Sequence, residues 1–145
     1  MYDMGKTLHV EASYGSSGAA GGPGTKTYSV YDVAGRAKFN AITMKAEYIR
    51  GRHVKGGTRN ESVWYVGGGY ALNPMLQGVV RYYSANSGGS TLGNTYIGAN
   101  IYLAGYNARV QLNYVVASGD TNNFHGAAIK GYTRNIFLAQ FQVGF

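Results

Sequence analysis

The stretch that most limits what this chain can fold into is N-I-F-L-A-Q-F-Q-V-G-F, Asn135 to Phe145. Every second residue is apolar to the last position: Phe137, Ala139, Phe141, Val143 and Phe145. The other row includes Gln140, Gln142 and Gly144. Side chains of a strand alternate between faces with period two. The stretch therefore reads as a strand with one apolar and one hydrophilic side, and the rest of the chain must supply partners built the same way.

It does so repeatedly. In Thr7 to Tyr14, Leu8, Val10, Ala12 and Tyr14 oppose Thr7, His9, Glu11 and Ser13. A Gly/Ser loop follows, Gly15 to Gly24. Thr25 to Val33 reads as a second strand of ambiguous facing, and Ala34-Gly35-Arg36 as a tight turn. Ala37 to Arg50 carries Ile42, Met44, Ala46 and Tyr48 against Thr43, Lys45 and Glu47. A basic loop spans Arg50 to Arg59. Glu61 to Leu72 presents Trp64, Val66, Gly68, Tyr70 and Leu72 on one side. Asn73-Pro74 turns the chain, since proline cannot pair inside a sheet. Met75 to Ser84 sets Leu76, Gly78, Val80 and Tyr82 against Gln77, Val79, Arg81 and Tyr83. A Ser/Gly/Asn loop is expected over Ala85 to Asn94. In Thr95 to Leu103, Ile97, Ala99, Ile101 and Leu103 oppose Tyr96, Gly98, Asn100 and Tyr102. Gly105-Tyr106-Asn107 turns into Ala108 to Val116, where Val110, Leu112, Tyr114 and Val116 oppose Arg109, Gln111 and Asn113. A long polar loop from Ala117 to Arg134 leads to the final strand. The expected fold is all-β: one domain of about eight antiparallel up-and-down strands.

Two kinds of protein use such strands, soluble β-sandwiches and membrane barrels, and composition bears on the choice. Charged residues make up 13% of the 145 residues, with 14 Tyr, 23 Gly and a mean hydropathy of −0.20. Scarce charge with many tyrosines and moderate hydropathy suits a barrel in which only alternate residues meet lipid. No run approaches the apolar length of a membrane helix. Cysteine is absent, which excludes a disulfide framework and thiolate metal sites. The net charge is +7. The basic residues are scattered, with no nucleic-acid motif, so nucleic acid is not an expected partner. The N-terminal M-Y-D-M-G-K lacks a signal-peptide pattern. An outer-membrane chain would have lost that segment or be part of something longer.

The connections alternate long and short, as in barrels with short turns on one rim and long loops on the other. With the last strand ending at the short-turn rim, outward aromatics fall at two heights. Tyr14, Tyr48, Trp64, Tyr82, Tyr114 and Phe137 lie at the loop side; Tyr70 and Phe145 lie at the turn side. Val, Ile, Leu, Ala, Gly and Met fill the space between, as in an aromatic girdle around an apolar band. The opposite row holds Glu11, Lys45, Glu47, Arg81, Arg109, Gln111 and Asn113, a face too polar for a dry core. It lines either a water-filled pore or the packed interior of a closed eight-strand barrel. In the closed case Glu11 and Glu47 would pair with Lys45, Arg81 or Arg109.

Catalytic chemistry is not expected. His9, Glu11 and Ser13 are successive neighbours on one strand face, with the carboxylate in the middle, which does not make a nucleophile-base-orienter chain. His9, His53 and His125 lack ligand spacing, so neither a metal nor a cofactor is expected. The Gly15 to Gly24 segment lacks the features of a phosphate loop. The cluster Arg50, Arg52, His53, Lys55 and Arg59 could attract lipopolysaccharide phosphates or be a plain solvated loop.

The terminal strand ending on Phe145 resembles the C-terminal strand of bacterial outer-membrane barrels. That resemblance assigns Phe141, Val143 and Phe145 to the signal read by the barrel-assembly machinery. The stretches Y-V-G-G-G-Y-A-L-N-P-M-L-Q-G-V-V-R-Y-Y, Y-I-G-A-N-I-Y-L and A-R-V-Q-L-N-Y-V-V, with K-A-E-Y at Lys45 to Tyr48, resemble the C-terminal strands of porins. They are most similar to the phosphate-selective porin O and P family. Members are trimers of sixteen-strand barrels, so the resemblance implies either the C-terminal half of such a barrel or a small barrel of the same repeats. It implies a channel in a Gram-negative outer membrane for passive diffusion of small hydrophilic solutes, anions among them. The partners it implies are membrane lipid, lipopolysaccharide, the barrel-assembly machinery, and a homotrimer or larger envelope complex. A closed structural, anchoring or adhesin-like barrel is the alternative.

Overall fold

A computed structural model describes residues 6–18, 26–54, 58–103, 107–120 and 132–143. They form eight strands: β1 (Lys6–Ser17), β2 (Tyr28–Phe39), β3 (Ile42–Arg52), β4 (Glu61–Asn73), β5 (Leu76–Ser87), β6 (Ser90–Tyr102), β7 (Ala108–Gly119) and β8 (Ile136–Val143). Each pairs antiparallel with the next in one sheet of order β1-β2-β3-β4-β5-β6-β7-β8. Most strands run 11 to 13 residues, slightly above the 9 to 11 that cross a bilayer at a tilt. No pairing between β1 and β8 is found among the described residues, where these two strands end the sheet.

Two segments expected as connections are strand instead. Ala34-Gly35-Arg36 does not turn; β2 runs straight through it, pairing Gly35 with both Val10 and Ala46. The turn falls at Asn40 and Ala41, where Asn40 takes φ 52°, a conformation that asparagine tolerates better than most residues. The expected long loop Ala85 to Asn94 is a tall hairpin. β5 and β6 remain paired to Ser87↔Ser90, and Gly88 and Gly89 close it at φ 61° and 91°. The long-short alternation of connections therefore breaks at this hairpin. Serine and asparagine read as loop there, yet they pair through the backbone, and the Asn86 amide donates to Thr91 Oγ1 at 3.0 Å.

The register fixes the facing that the sequence left ambiguous in β2. Tyr31 pairs with Tyr14 and Val33 with Tyr48, so the apolar row of β2 joins that of its neighbours. The large apolar side chains exposed along the strands all belong to this one face, from Leu8 at 77% to Phe137 at 63%. The sheet also curls. Lys45 on β3 and Gln140 on β8 line a single cavity of about 650 Å³. In a flat sheet those strands would stand about 24 Å apart at 4.8 Å per step. The exposed apolar face is thus convex and the polar face concave.

The buried residues cluster on the concave side toward the long-loop rim. Ala85, Leu92, Asn94 and Val115 are fully buried there. By contrast, every residue of β1 is exposed.

Candidate functional site on the concave face

The strand registers turn the polar alternation into rows that cross the sheet. One row runs His9, Arg36, Lys45, Gly67, Arg81, Tyr96 and Val115. Three of its members are permanent cations, and Arg36 sits directly beside Lys45. The next row toward the loop rim runs Glu11, Ala34, Glu47, Tyr65, Tyr83 and Asn94. The face is therefore banded by sign, with a cationic stripe alongside an acidic and phenolic one.

All seven residues expected to line the interior lie on this face. Lys45, Arg81, Arg109, Gln111 and Asn113 line the 650 Å³ cavity. Glu11 and Glu47 line a smaller adjoining one with His9, Arg36 and Lys45. The pairing expected for a closed barrel is absent among the described residues. Glu11 pairs with His9 instead, at 3.2 Å, and Glu47 accepts a hydrogen bond from Tyr65. Arg81 stacks its guanidinium 4.2 Å over the Tyr96 ring, with Tyr65 at 5.9 Å. Arg109 donates to Gln142 Oε1 through Nε at 3.2 Å and Nη2 at 2.6 Å. These cations are oriented by aromatic faces and a neutral amide, none of which cancels charge. Their field is left for the cavity.

Toward the short-turn rim the face carries a neutral network. Gln77 Nε2 donates to Thr43 Oγ1 at 3.2 Å, and Gln77 Oε1 accepts from Asn100 at 3.0 Å and Tyr102 at 3.1 Å. Gln111 donates to Asn100 Oδ1 at 3.0 Å. Thr43 and Gln77 lie on β3 and β5, so their bond spans β4. Gly69 makes this possible, because a Cβ there would lie 2.7 Å from Gln77 Nε2 and 2.9 Å from Thr43 Oγ1.

Sequence reasoning missed three contributors. Arg36 was assigned to a turn. The signal was present, since Asp32, Ala34, Arg36 and Lys38 alternate with Val33, Gly35, Ala37 and Phe39 straight through the glycine. Tyr96 had been placed on the polar side without a role, though it carries Arg81. Tyr132, within the expected polar loop, turns onto the concave face and lines the cavity. Its inward path leaves no trace in local periodicity.

On the convex face the expected girdle residues fall on a diagonal. Tyr14 pairs with Tyr31, and one row lower Tyr48 pairs with Trp64. Tyr82 lies a further row down, and Tyr114 pairs with Phe137 in the row below that. Strands tilted to a barrel axis stagger in this way, so a belt at one height must step through the register. Tyr14–Tyr31 and Trp64–Tyr82 are in ring contact at 5.0 and 5.3 Å. Tyr70 lies three rows below Trp64 on the same strand, toward the short turns, beside Ile42. Phe141 and Val143 are exposed on the same face. At the long-loop rim Arg50 and Arg52 flank Tyr31, with Arg52 5.6 Å from its ring centroid. His53 Nδ1 meets the Thr27 carbonyl at 3.1 Å. Lys55, His125 and Phe145 lie outside the described residues.

The His9–Glu11 contact is exposed and does not include Ser13. Among the described residues no three His, Asp or Glu side chains gather as a metal site would need. No helix of the described residues is long and apolar enough to cross a membrane, which says nothing about crossing by strands.

Fold and site define a class: an all-β antiparallel meander, apolar on its convex face and polar on its concave face. Comparison with protein-family models, with curated proteins and with solved structures returns no match.

Proposed function

We propose that this chain is a wall of a porin-type channel in a bacterial outer membrane, passing small hydrophilic solutes with a preference for anions. The observation that carries the proposal is the sorting of the sheet into two faces. The large apolar side chains left exposed along the strands belong to the convex side, and a cationic row crosses the concave side. Exposing that much apolar surface to water would be costly at ~25 cal/mol per Å², and lipid removes the cost. The stepped aromatic belt supports the same orientation, with Arg50 and Arg52 placed to meet lipopolysaccharide phosphates above it. The resemblance to porin strands agrees with it. Porin assembly, through the terminal strand and as a trimer or larger complex, belongs to the same proposal.

That β1 and β8 are not paired with each other among the described residues favours a larger barrel over a closed eight-strand one. So does the interior, where Lys45, Arg81 and Arg109 are not neutralised by Glu11 or Glu47. The decisive experiment is planar-bilayer recording of the native assembly. Stepwise conductance with anion-biased reversal potential is expected, and the double variant Lys45→Glu, Arg81→Glu should shift the reversal potential toward cations. A purified assembly that inserts but gives no conductance steps would reject the channel.

A further inference from the structure

The concave face holds one buried polar residue with a specific task. Asn94 lies on β6, one row above Tyr96, and is 0% exposed. Its side chain grips the backbone of Tyr132 at both ends. Nδ2 donates to the Tyr132 carbonyl at 2.7 Å, and Oδ1 accepts from the Tyr132 N–H at 2.9 Å. A side-chain amide that bonds both the N–H and C=O of one residue fixes that residue's position and direction. A second bond, from the Ala117 N–H to Asn135 Oδ1 at 2.9 Å, holds the end of the same segment against β7.

The grip sets where the Tyr132 ring lies. It meets the Tyr96 ring edge-on at 6.4 Å, and Tyr96 in turn carries the Arg81 guanidinium on its face at 4.2 Å. All three side chains border the main cavity. Tyr132 therefore lies over the concave face at the level of the cationic row. Holding Tyr132 there costs the burial of the Asn94 amide, and the two bonds to Tyr132 offset that cost.

We infer that Asn94 is a positioning residue for solute selection: it pins Tyr132 against Tyr96, whose ring carries Arg81, so that phenol rings and a guanidinium together narrow the path. This rests on the channel reading. Solutes passing the point would have to be small, and planar or anionic groups would be favoured over bulky neutral ones.

The test uses Asn94→Ala and Tyr132→Ala in the full assembly. Conductance is read in planar bilayers, and size exclusion is read by liposome swelling in a series of neutral sugars. Asn94→Ala removes both bonds to Tyr132, so conductance should rise and the exclusion limit should move to larger sugars. Tyr132→Ala keeps both backbone bonds to Asn94, so it should move the exclusion limit with no loss of thermal stability. That second variant decides the matter if Asn94→Ala fails to assemble. A wild-type channel whose exclusion limit and conductance are unchanged by Tyr132→Ala overturns the inference and leaves the channel standing. A wild-type assembly that does not conduct removes the channel itself.

Discussion

Ile97 sits mid-strand on the convex face, 56% exposed, beside Val80 in the register. Such a residue separates membrane from water by one substitution. In lipid, Ile97→Arg should destabilise the fold by about 2–4 kcal/mol, the range for a basic residue near the bilayer midplane. In water, the same change at an exposed site should stay within about 0.5 kcal/mol. Reversible denaturant titration of the protein folded into vesicles reads the difference, and a value near zero would place this face in solvent. A second residue reports on the hairpin side of the sheet. Glu61 is buried on β4 and accepts a hydrogen bond from Ser87 Oγ at 2.8 Å. Ser87→Ala removes a donor from a buried carboxylate and should cost about 1.5–3 kcal/mol in the same titration. Equal stability in wild type and variant would mean that solvent replaces the lost bond.

Hairpin β5–β6 carries the clearest prediction for an element, because Gly88 and Gly89 both hold positive φ. Replacing both with valine forces two branched side chains into a left-handed backbone, at about 1–2 kcal/mol per residue. Replacing the pair with Asn-Gly should be nearly neutral, since that dipeptide suits a two-residue hairpin. Refolding yields of the two variants in detergent check this, and equal yields would mean that another turn geometry is available. The same hairpin shows where sequence reading stops. Period two reveals a strand when one row is apolar, as in Val110, Leu112, Tyr114 and Val116. It fails over Ala85 to Asn94, where small and polar residues fill both rows and only backbone pairing defines the strand. It fails differently at Gly35, where a glycine inside a strand imitates a turn and hides Arg36 from the lining. Lys45, Arg81 and Arg109 were legible because each interrupts an apolar alternation. The stacking of Arg81 on Tyr96 was not, because it depends on cross-strand register. Nor was the inward path of Tyr132, because it depends on one side chain, Asn94, 38 residues away in sequence.

At the scale of the whole molecule, the described residues form a strip that begins at β1 and ends at β8. Backbone groups along the outer side of β1 have no strand partner among the described residues, and the same holds for β8. In a bilayer such an edge is not tolerated, because each unpaired N–H or C=O would face hydrocarbon at a cost of several kcal/mol. Long, regular edges in water invite aggregation. The strip's own geometry suits closure by further strands. An even number of strands leaves β1 and β8 running in opposite directions, so each can take an antiparallel neighbour in a continuing meander. Apolar positions on both edge strands face the convex side, from Leu8 and Val10 on β1 to Phe137 and Phe141 on β8. We therefore expect the amides of Lys6–Ser17 to be as protected as those of Leu76–Ser87 in the native assembly. Hydrogen exchange resolved by strand measures this directly. Slow exchange along β1 requires a partner on its free side and, with β8 protected as well, a closed barrel, whose strand number the mass of the native assembly then gives. Rapid exchange along β1 beside slow exchange along β5 would leave the edge open, and a strip with an open edge cannot span a membrane or enclose a pore.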